Sequence, residues 1–264
     1  MFYDPSEIIL YVSRKLNDLK IEHFIIGATA RDLLCKEQNI SAPLRKTNDV
    51  DFGILINSWS KHKELENVLS SDPNINKVNE IKYTCGDKVF DLVAFGKIED
   101  ENKNVSIPPD YSTVMNMAGF YEAYENAMSI TIKGSSIKVV TPEMLVSLKI
   151  VSWNDRNSRW KDMEDIKLIL NHAENLYPEL PDELWGKHSD LMREFDHSIE
   201  LASVAYIGRK ASHRLDQQSK DLILRILQSN KEKVIIYFQI DSQNNSKQNK
   251  IDAVFNAFIH GFEN

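Results

Sequence analysis

Asp49 and Asp51 are separated by one apolar residue in the run Arg45-Lys-Thr-Asn-Asp-Val-Asp-Phe. Successive side chains of a strand point to opposite faces, so this spacing sets two carboxylates side by side with Val50 turned away. Two acids so placed are unfavourable together unless a cation lies between them. Upstream, Phe24-Ile-Ile-Gly-Ala-Thr-Ala-Arg-Asp-Leu-Leu reads as a short apolar strand, a tight turn at Gly27 and a helix. Glycine lets a phosphate or nucleotide approach the main chain, and the unpartnered N–H groups opening a helix suit an anion. A third acid, Asp91, interrupts the apolar run Lys88-Val-Phe-Asp-Leu-Val-Ala-Phe. A carboxylate there is costly unless it is paired or metal-bound.

A glycine turn opening a helix, followed by Asp-x-Asp on the next strand, resembles the signature of the nucleotidyltransferase superfamily. Within it, Gly27-Ala-Thr-Ala-Arg-Asp and Arg45-Lys-Thr-Asn-Asp-Val-Asp-Phe most resemble the AbiEii/AbiGii-type nucleotidyltransferases, many of them toxin halves of toxin–antitoxin pairs. Ala28 stands where many members carry glycine or serine. The interval from Gly27 to Asp49 is longer than in compact members, which implies a loop insertion at about 36 to 44. Lys88-x-x-Asp91 resembles the family's second motif. The pattern Lys149, Arg156, Lys161-Asp162-x-x-Asp165 is similar to its lysine-plus-aspartates motif. The resemblance covers about residues 21 to 170.

What the resemblance implies is an α/β (α+β) nucleotidyltransferase fold, with a mixed sheet flanked by helices and a C-terminal helical region. Asp49, Asp51 and Asp91 become ligands for Mg²⁺ or Mn²⁺ and catalytic acids, with Asp91 helping to deprotonate the acceptor. Lys149 neutralises charge as pyrophosphate leaves. Gly27, Ala28, Thr29, Arg45, Lys88, Arg156, Asp162 and Asp165 become nucleotide contacts. The substrate is an NTP, the acceptor a hydroxyl of RNA, a tRNA 3′ end or a protein, and the implied partner a cognate antitoxin. For Arg156, Asp162 and Asp165, a salt-bridge network joining two helices accounts for the spacing equally well. Two rival readings share the motifs. A tRNA-tailing enzyme of the CCA-adding or poly(A) type has Gly-x-x-x-Arg-Asp-Leu-Leu and Asp-x-Asp, but its arginine-rich block is missing here. A non-catalytic nucleotide- or protein-binding module has no physical reason to keep three acids together.

The elements that must position these residues follow from periodicity and turn signals. Asp4-Pro5 starts a helix over 6–19 with an apolar face of Ile8, Ile9, Val12, Leu16 and Leu19. Strands are expected at 24–26, 50–56, 77–84 and 88–95, the last two joined by a turn at Gly86-Asp87. A helix capped by Ser58 runs to Leu69, with Trp59, Leu65 and Leu69 inward. Residues 97–110 read as a loop, 115–128 as a helix, and 129–140 as a hairpin turning at Gly134-Ser135. Thr141-Pro142-Glu143 opens a helix that carries Lys149, and a second helix carries Asp162 and Asp165. After Pro181 helical segments dominate, near 182–194, 198–211, 217–228 and 251–262. Residues 234–238 fit strand or helix, and 241–250 read as a polar linker. The domains expected are a nucleotidyltransferase core at 1–140 and a helical domain at 141–264.

The 264 residues are 42% apolar, enough for a core. A net charge of −7 excludes a global basic coat for nucleic acid, although local basic clusters could still bind RNA. Such clusters at Arg45-Lys46, Arg156 to Lys161 and Arg209 to Arg214 are short and read as solvated surface. Arg209 and His213 stand closer together than a ribonuclease-type pair would. No run approaches the ~20 apolar residues of a membrane span. The N-terminus lacks the order of a secretory signal, and Cys35 and Cys85 read as reduced thiols, so a cytoplasmic protein is expected.

Overall fold

The computed structural model describes residues 4–41, 47–155, 160–234 and 245–264. The chain divides into two compact units, one of Met1–Leu33 with Pro43–Thr141, the other of Leu34–Ala42 with Pro142–Asn264. The first is a mixed sheet flanked by helices; the second is helical.

The first unit runs α1 (Ser6–Asp18), β1 (His23–Ile26), α2 (Gly27–Glu37), β2 (Asp49–Leu55), α3 (Trp59–Ser70), β3 (Ile75–Lys77), β4 (Lys82–Cys85) and β5 (Lys88–Phe95). It continues with β6 (Asn104–Ile107), β7 (Thr113–Asn116), α4 (Phe120–Glu125), β8 (Met128–Ile132) and β9 (Ser135–Val139). Seven strands form one sheet in the order β3-β4-β5-β2-β1-β9-β8. β2 lies antiparallel to β1 and parallel to β5, and β5 is antiparallel to β4.

One face of this sheet is aromatic. Tyr83 stacks on Phe90 with ring centroids 5.4 Å apart, and Phe90 meets Phe52 edge-on at 6.4 Å. All three rings are buried. Because side chains alternate, the neighbours Lys82, Asp91 and Asp51 are turned to the opposite face. Burial of the aromatic row therefore fixes which way the charged row points.

Several expected elements are resolved differently. The single strand at 77–84 is two short strands, because the Asn79 side chain accepts from the N–H groups of Ile81 and Lys82 and closes a turn between them. The loop at 97–110 contains β6, which pairs with β7 as a separate two-stranded sheet. That pairing takes Met115 and Asn116 out of the helix expected at 115–128. The Asn116 side chain accepts from Ala118 N–H, and Gly119 at φ +83° lets α4 begin only at Phe120. The β8–β9 turn is centred on Lys133-Gly134, one residue earlier than expected, with both residues at positive φ. In α3, Leu65 and Leu69 are buried as expected, whereas Trp59 is half-buried and His62 takes the inward position.

The helical unit comprises α5 (Pro142–Asp155), α6 (Trp160–Asn171), α7 (Ala173–Leu176), α8 (Leu180–Trp185), α9 (Ser189–Glu194), α10 (Ile199–Arg214), α11 (Gln217–Ser229) and α12 (Asn245–Glu263). Thr141-Pro142-Glu143 opens α5 as the sequence indicates, and nearly every residue of α5 is buried. α10 and α12 touch backbone to backbone. A Cβ on Gly261 would stand 1.8 Å from the Ala205 carbonyl oxygen, and one on Gly208 would stand 2.2 Å from that of Phe258. Residues 245–250, expected in a linker, belong to α12; residues 235–244 lie outside the described residues.

Candidate active site

The site begins with strand register. Asp51 on β2 pairs with Asp91 on the parallel strand β5, Asp91 pairs with Lys82 on β4, and Asp51 pairs with Ile26 on β1. Across one face of the sheet this makes a row of lysine, aspartate and aspartate that ends beside the Gly27 turn. Asp49 lies two residues before Asp51 and so shares its face. The expectation that Asp49, Asp51 and Asp91 share one side of the sheet thus has a definite geometry, in which neighbouring strands are ~4.8 Å apart.

Gly27 sits at φ +68° where β1 ends and α2 begins. A Cβ added to it would come within 2.0 Å of Asp51 Oδ2. The turn is therefore a cradle that only glycine leaves open. Behind it, Ala28 and Thr29 are buried in the first turn of α2. Thr29 Oγ1 donates to the Asp49 carbonyl oxygen at 2.8 Å, which ties α2 to the start of β2. Its hydroxyl is thus committed to the main chain, and what the turn can offer an anion is backbone N–H. Thr47 Oγ1 donates to Asp49 Oδ1 at 2.7 Å and orients that carboxylate. Arg31 is fully buried in α2 with its guanidinium on Asp32, its Nε donating at 2.7 Å.

No sequence motif includes Lys82, yet it faces the acids directly. Its Nζ donates to Asp91 Oδ1 at 2.7 Å and lies 3.8 Å from Asp49 Oδ2. Partial burial pulls the Lys82 pKa down, but the hydrogen bond to Asp91 and the charges of Asp91, Asp49 and Asp51 outweigh it, and the net shift is upward. Lys88, expected at the nucleotide, is on the other parity of β5 from Asp91 and has its ammonium 3.4 Å from Asp87. The signal for Lys82 was present in the sequence. A two-residue turn at Gly86-Asp87 pairs Cys85 with Lys88, and counting back along the hairpin puts Lys82 opposite Asp91.

Three carboxylates are hard oxygen donors of the kind that Mg²⁺ and Mn²⁺ take. The cradle at Gly27 keeps Asp51 accessible to the turn, and the Lys82 ammonium already stands as a cation against Asp91 and Asp49. Among the described residues no group of three or more His, Cys, Asp or Glu side chains converges as a ready-made metal cage. The donor set fits in type and face, with its oxygens turned in part toward Lys82.

The second cluster of expected site residues lies wholly in the helical unit. Lys149 on α5 is buried, with Nζ 2.5 Å from Asp165 Oδ2 and 3.1 Å from Asp162 Oδ1 on α6. The ammonium expected to meet a triphosphate is thus held by two buried carboxylates, and the three residues form the network that joins the two helices. Arg45 and Arg156 lie outside the described residues. The basic stretch 209–214 is not free surface. Arg209 pairs with Asp190 at 2.7 Å, and Arg214 pairs with the fully buried Glu143, which also accepts from the Tyr177 hydroxyl. Burial, then the Glu143 charge, pushes the Tyr177 phenol well above its ordinary pKa. His213 is exposed at the end of α10, while Arg209 is held by Asp190. No helix among the described residues is long and apolar enough to cross a membrane.

No protein-family model matches the chain, and no curated protein matches it significantly. Solved structures similar to it include an antigenic nucleotidyltransferase-like protein from Paracoccidioides brasiliensis, at 22% identity over 71% of this chain and 90% of that one, TM-score 0.43. The antibiotic-resistance factor ANT(2″)-Ia matches at 13% identity over 73% of this chain and 97% of its own, TM-score 0.40. A tRNA-processing enzyme in an apo form matches at 15% identity over 95% and 77%, TM-score 0.25.

Proposed function

We propose that this chain is a metal-dependent nucleotidyltransferase that moves a nucleoside monophosphate from an NTP to an acceptor hydroxyl, on an RNA or tRNA 3′ end or on a protein. The observation that carries the reading is the register of Asp51 against Asp91, with Asp49 on the same face and Gly27 packed against Asp51. One Lys82 ammonium stands against Asp91 and Asp49, and the third carboxylate of the row, Asp51, lies directly opposite Asp91, which supports a place for a further cation beside the glycine turn.

In this reading the backbone N–H groups of Ala28 and Thr29 receive phosphate at the start of α2. Asp49, held by Thr47, would hold Mg²⁺ or Mn²⁺ together with Asp51 and Asp91. Once bound, the cation supplies positive charge against the triphosphate and the leaving pyrophosphate. Asp91 accepts the proton of the acceptor hydroxyl as its oxygen bonds to the α-phosphorus and the bond to pyrophosphate breaks. Lys149, Asp162 and Asp165 hold α5 to α6 rather than touch substrate. The resemblance to AbiEii/AbiGii-type enzymes supports a place as the toxin half of a pair with a cognate antitoxin.

Incubating the protein with each labelled NTP, Mg²⁺ and total RNA or protein tests the activity. Label transfer that is lost in Asp51→Asn is the expected result. A melting scan adds a second readout, because ligand at a hundred times its dissociation constant raises stability by about 2.7 kcal/mol. Neither transfer nor a melting shift with any NTP and Mg²⁺ or Mn²⁺ would leave the non-catalytic module as the better account.

A further inference from the structure

We infer that Lys82 is a tethered cation that competes with a divalent metal for the acid row, so that the free protein binds metal weakly and binds it well only once nucleotide phosphates arrive. This rests on the metal-dependent reading above and adds a controlling residue to it. Lys82 stands opposite Asp91 on β4, donates to Asp91 Oδ1 at 2.7 Å and lies 3.8 Å from Asp49 Oδ2. One ammonium thus touches two of the three carboxylates that would ligate the metal.

Its position is over-determined by the fold. The next residue, Tyr83, is stacked on Phe90 in the buried aromatic row, so Lys82 cannot turn to the other face without exposing that ring. The side chain itself is about one-third exposed, at 32%, so its long stem can swing the ammonium outward while β4 stays in place. A divalent cation entering the row meets a positive charge at close range and must displace it from Asp91. A triphosphate changes this balance, because its oxygens offer the displaced ammonium a new partner and bring further ligands for the metal. Repulsion between an ammonium and a dication about 6 Å apart is worth roughly tenfold in affinity even at the dielectric of water.

The test is Mn²⁺ binding to the full chain without nucleotide, followed by the paramagnetic resonance of free Mn²⁺. Lys82→Met is expected to bind Mn²⁺ about tenfold more tightly than the wild type, Lys82→Arg like the wild type, and the double variant Lys82→Met with Asp51→Asn to lose the gain. Lys82→Gln, which keeps a hydrogen-bond donor for Asp91, carries the same expectation as Lys82→Met should the methionine variant fold poorly by circular dichroism. Equal or weaker binding in the folded neutral variants overturns the competition. If the wild type still binds Mn²⁺ together with a non-hydrolysable NTP analogue in that case, the metal-dependent reading survives and only the role of Lys82 falls. No binding in any variant, with or without the analogue, overturns both.

Discussion

The Asp51 carboxylate occupies the space that a side chain on Gly27 would need, with Oδ2 2.0 Å from where a Cβ would stand. Gly27 also holds φ at +68°, a conformation that costs an L-residue about 1–2 kcal/mol. Gly27→Ala is therefore expected to lower stability by about 1–3 kcal/mol and to abolish nucleotide-dependent stabilisation. Urea unfolding and melting scans with NTP and Mg²⁺ measure the two effects separately. An alanine variant as stable as the wild type would show that the turn relaxes without the cradle.

Asp51→Asn separates site from scaffold. Like charges directly opposite on neighbouring strands cost roughly 0.2–1 kcal/mol, and Lys82 offsets part of that from beyond Asp91. Without metal, the variant should match the wild type in stability or exceed it by up to about 1 kcal/mol, while transfer is lost. Loss of folding would mean that Asp51 is a structural acid, and the catalytic reading would lose its main support.

Lys149→Ala should act on stability first. It leaves Asp162 and Asp165 buried without their ammonium, and breaking a buried pair from one side costs about 3–5 kcal/mol. Removing the charges together, as in Lys149→Met with Asp162→Asn and Asp165→Asn, should recover much of that loss. Denaturant unfolding of the single and triple variants decides it. A stable Lys149→Ala protein with weakened transfer would instead return Lys149 to the triphosphate.

The pH dependence has a definite sign. Burial holds His62, His23 and His188 below the ordinary histidine pKa of 6.5. The unfolded chain therefore takes up protons that the folded chain refuses. Stability from this source is complete above about pH 6.5 and declines as pH falls toward the lower folded values. His62→Gln should flatten the decline between pH 6.5 and 5, measured by urea unfolding at a series of pH values. An unchanged slope would assign the effect to His23 or His188.

Much of the site is written in local sequence. The strand–glycine–helix order around Gly27 needs only an apolar run, a residue free to take positive φ and helical spacing after it. That Asp49 and Asp51 share a face follows from the period of two in any strand. Even the pairing of Lys82 with Asp91 is contained in the two-residue turn at Gly86-Asp87, although no motif draws the eye to it. Elsewhere, polar side chains overrode the apolar pattern. Asn79 and Asn116 close turns with their own side chains, which cut one expected strand in two and shortened one expected helix.

Tertiary structure decided the rest. β5 lies beside β2 although α3, β3 and β4 come between them in the chain, and only that parallel pairing puts Asp91 opposite Asp51. No local spacing encodes that strand order; burial of Tyr83, Phe90 and Phe52 then fixes which face the charged row takes. Lys149 shows the same limit from the other side. Its sequence context fits a phosphate ligand, whereas the packing of α5 on α6 encloses its ammonium with Asp162 and Asp165. A buried charge takes the partner that desolvation leaves within reach, and which partner that is depends on helices brought together from different parts of the chain.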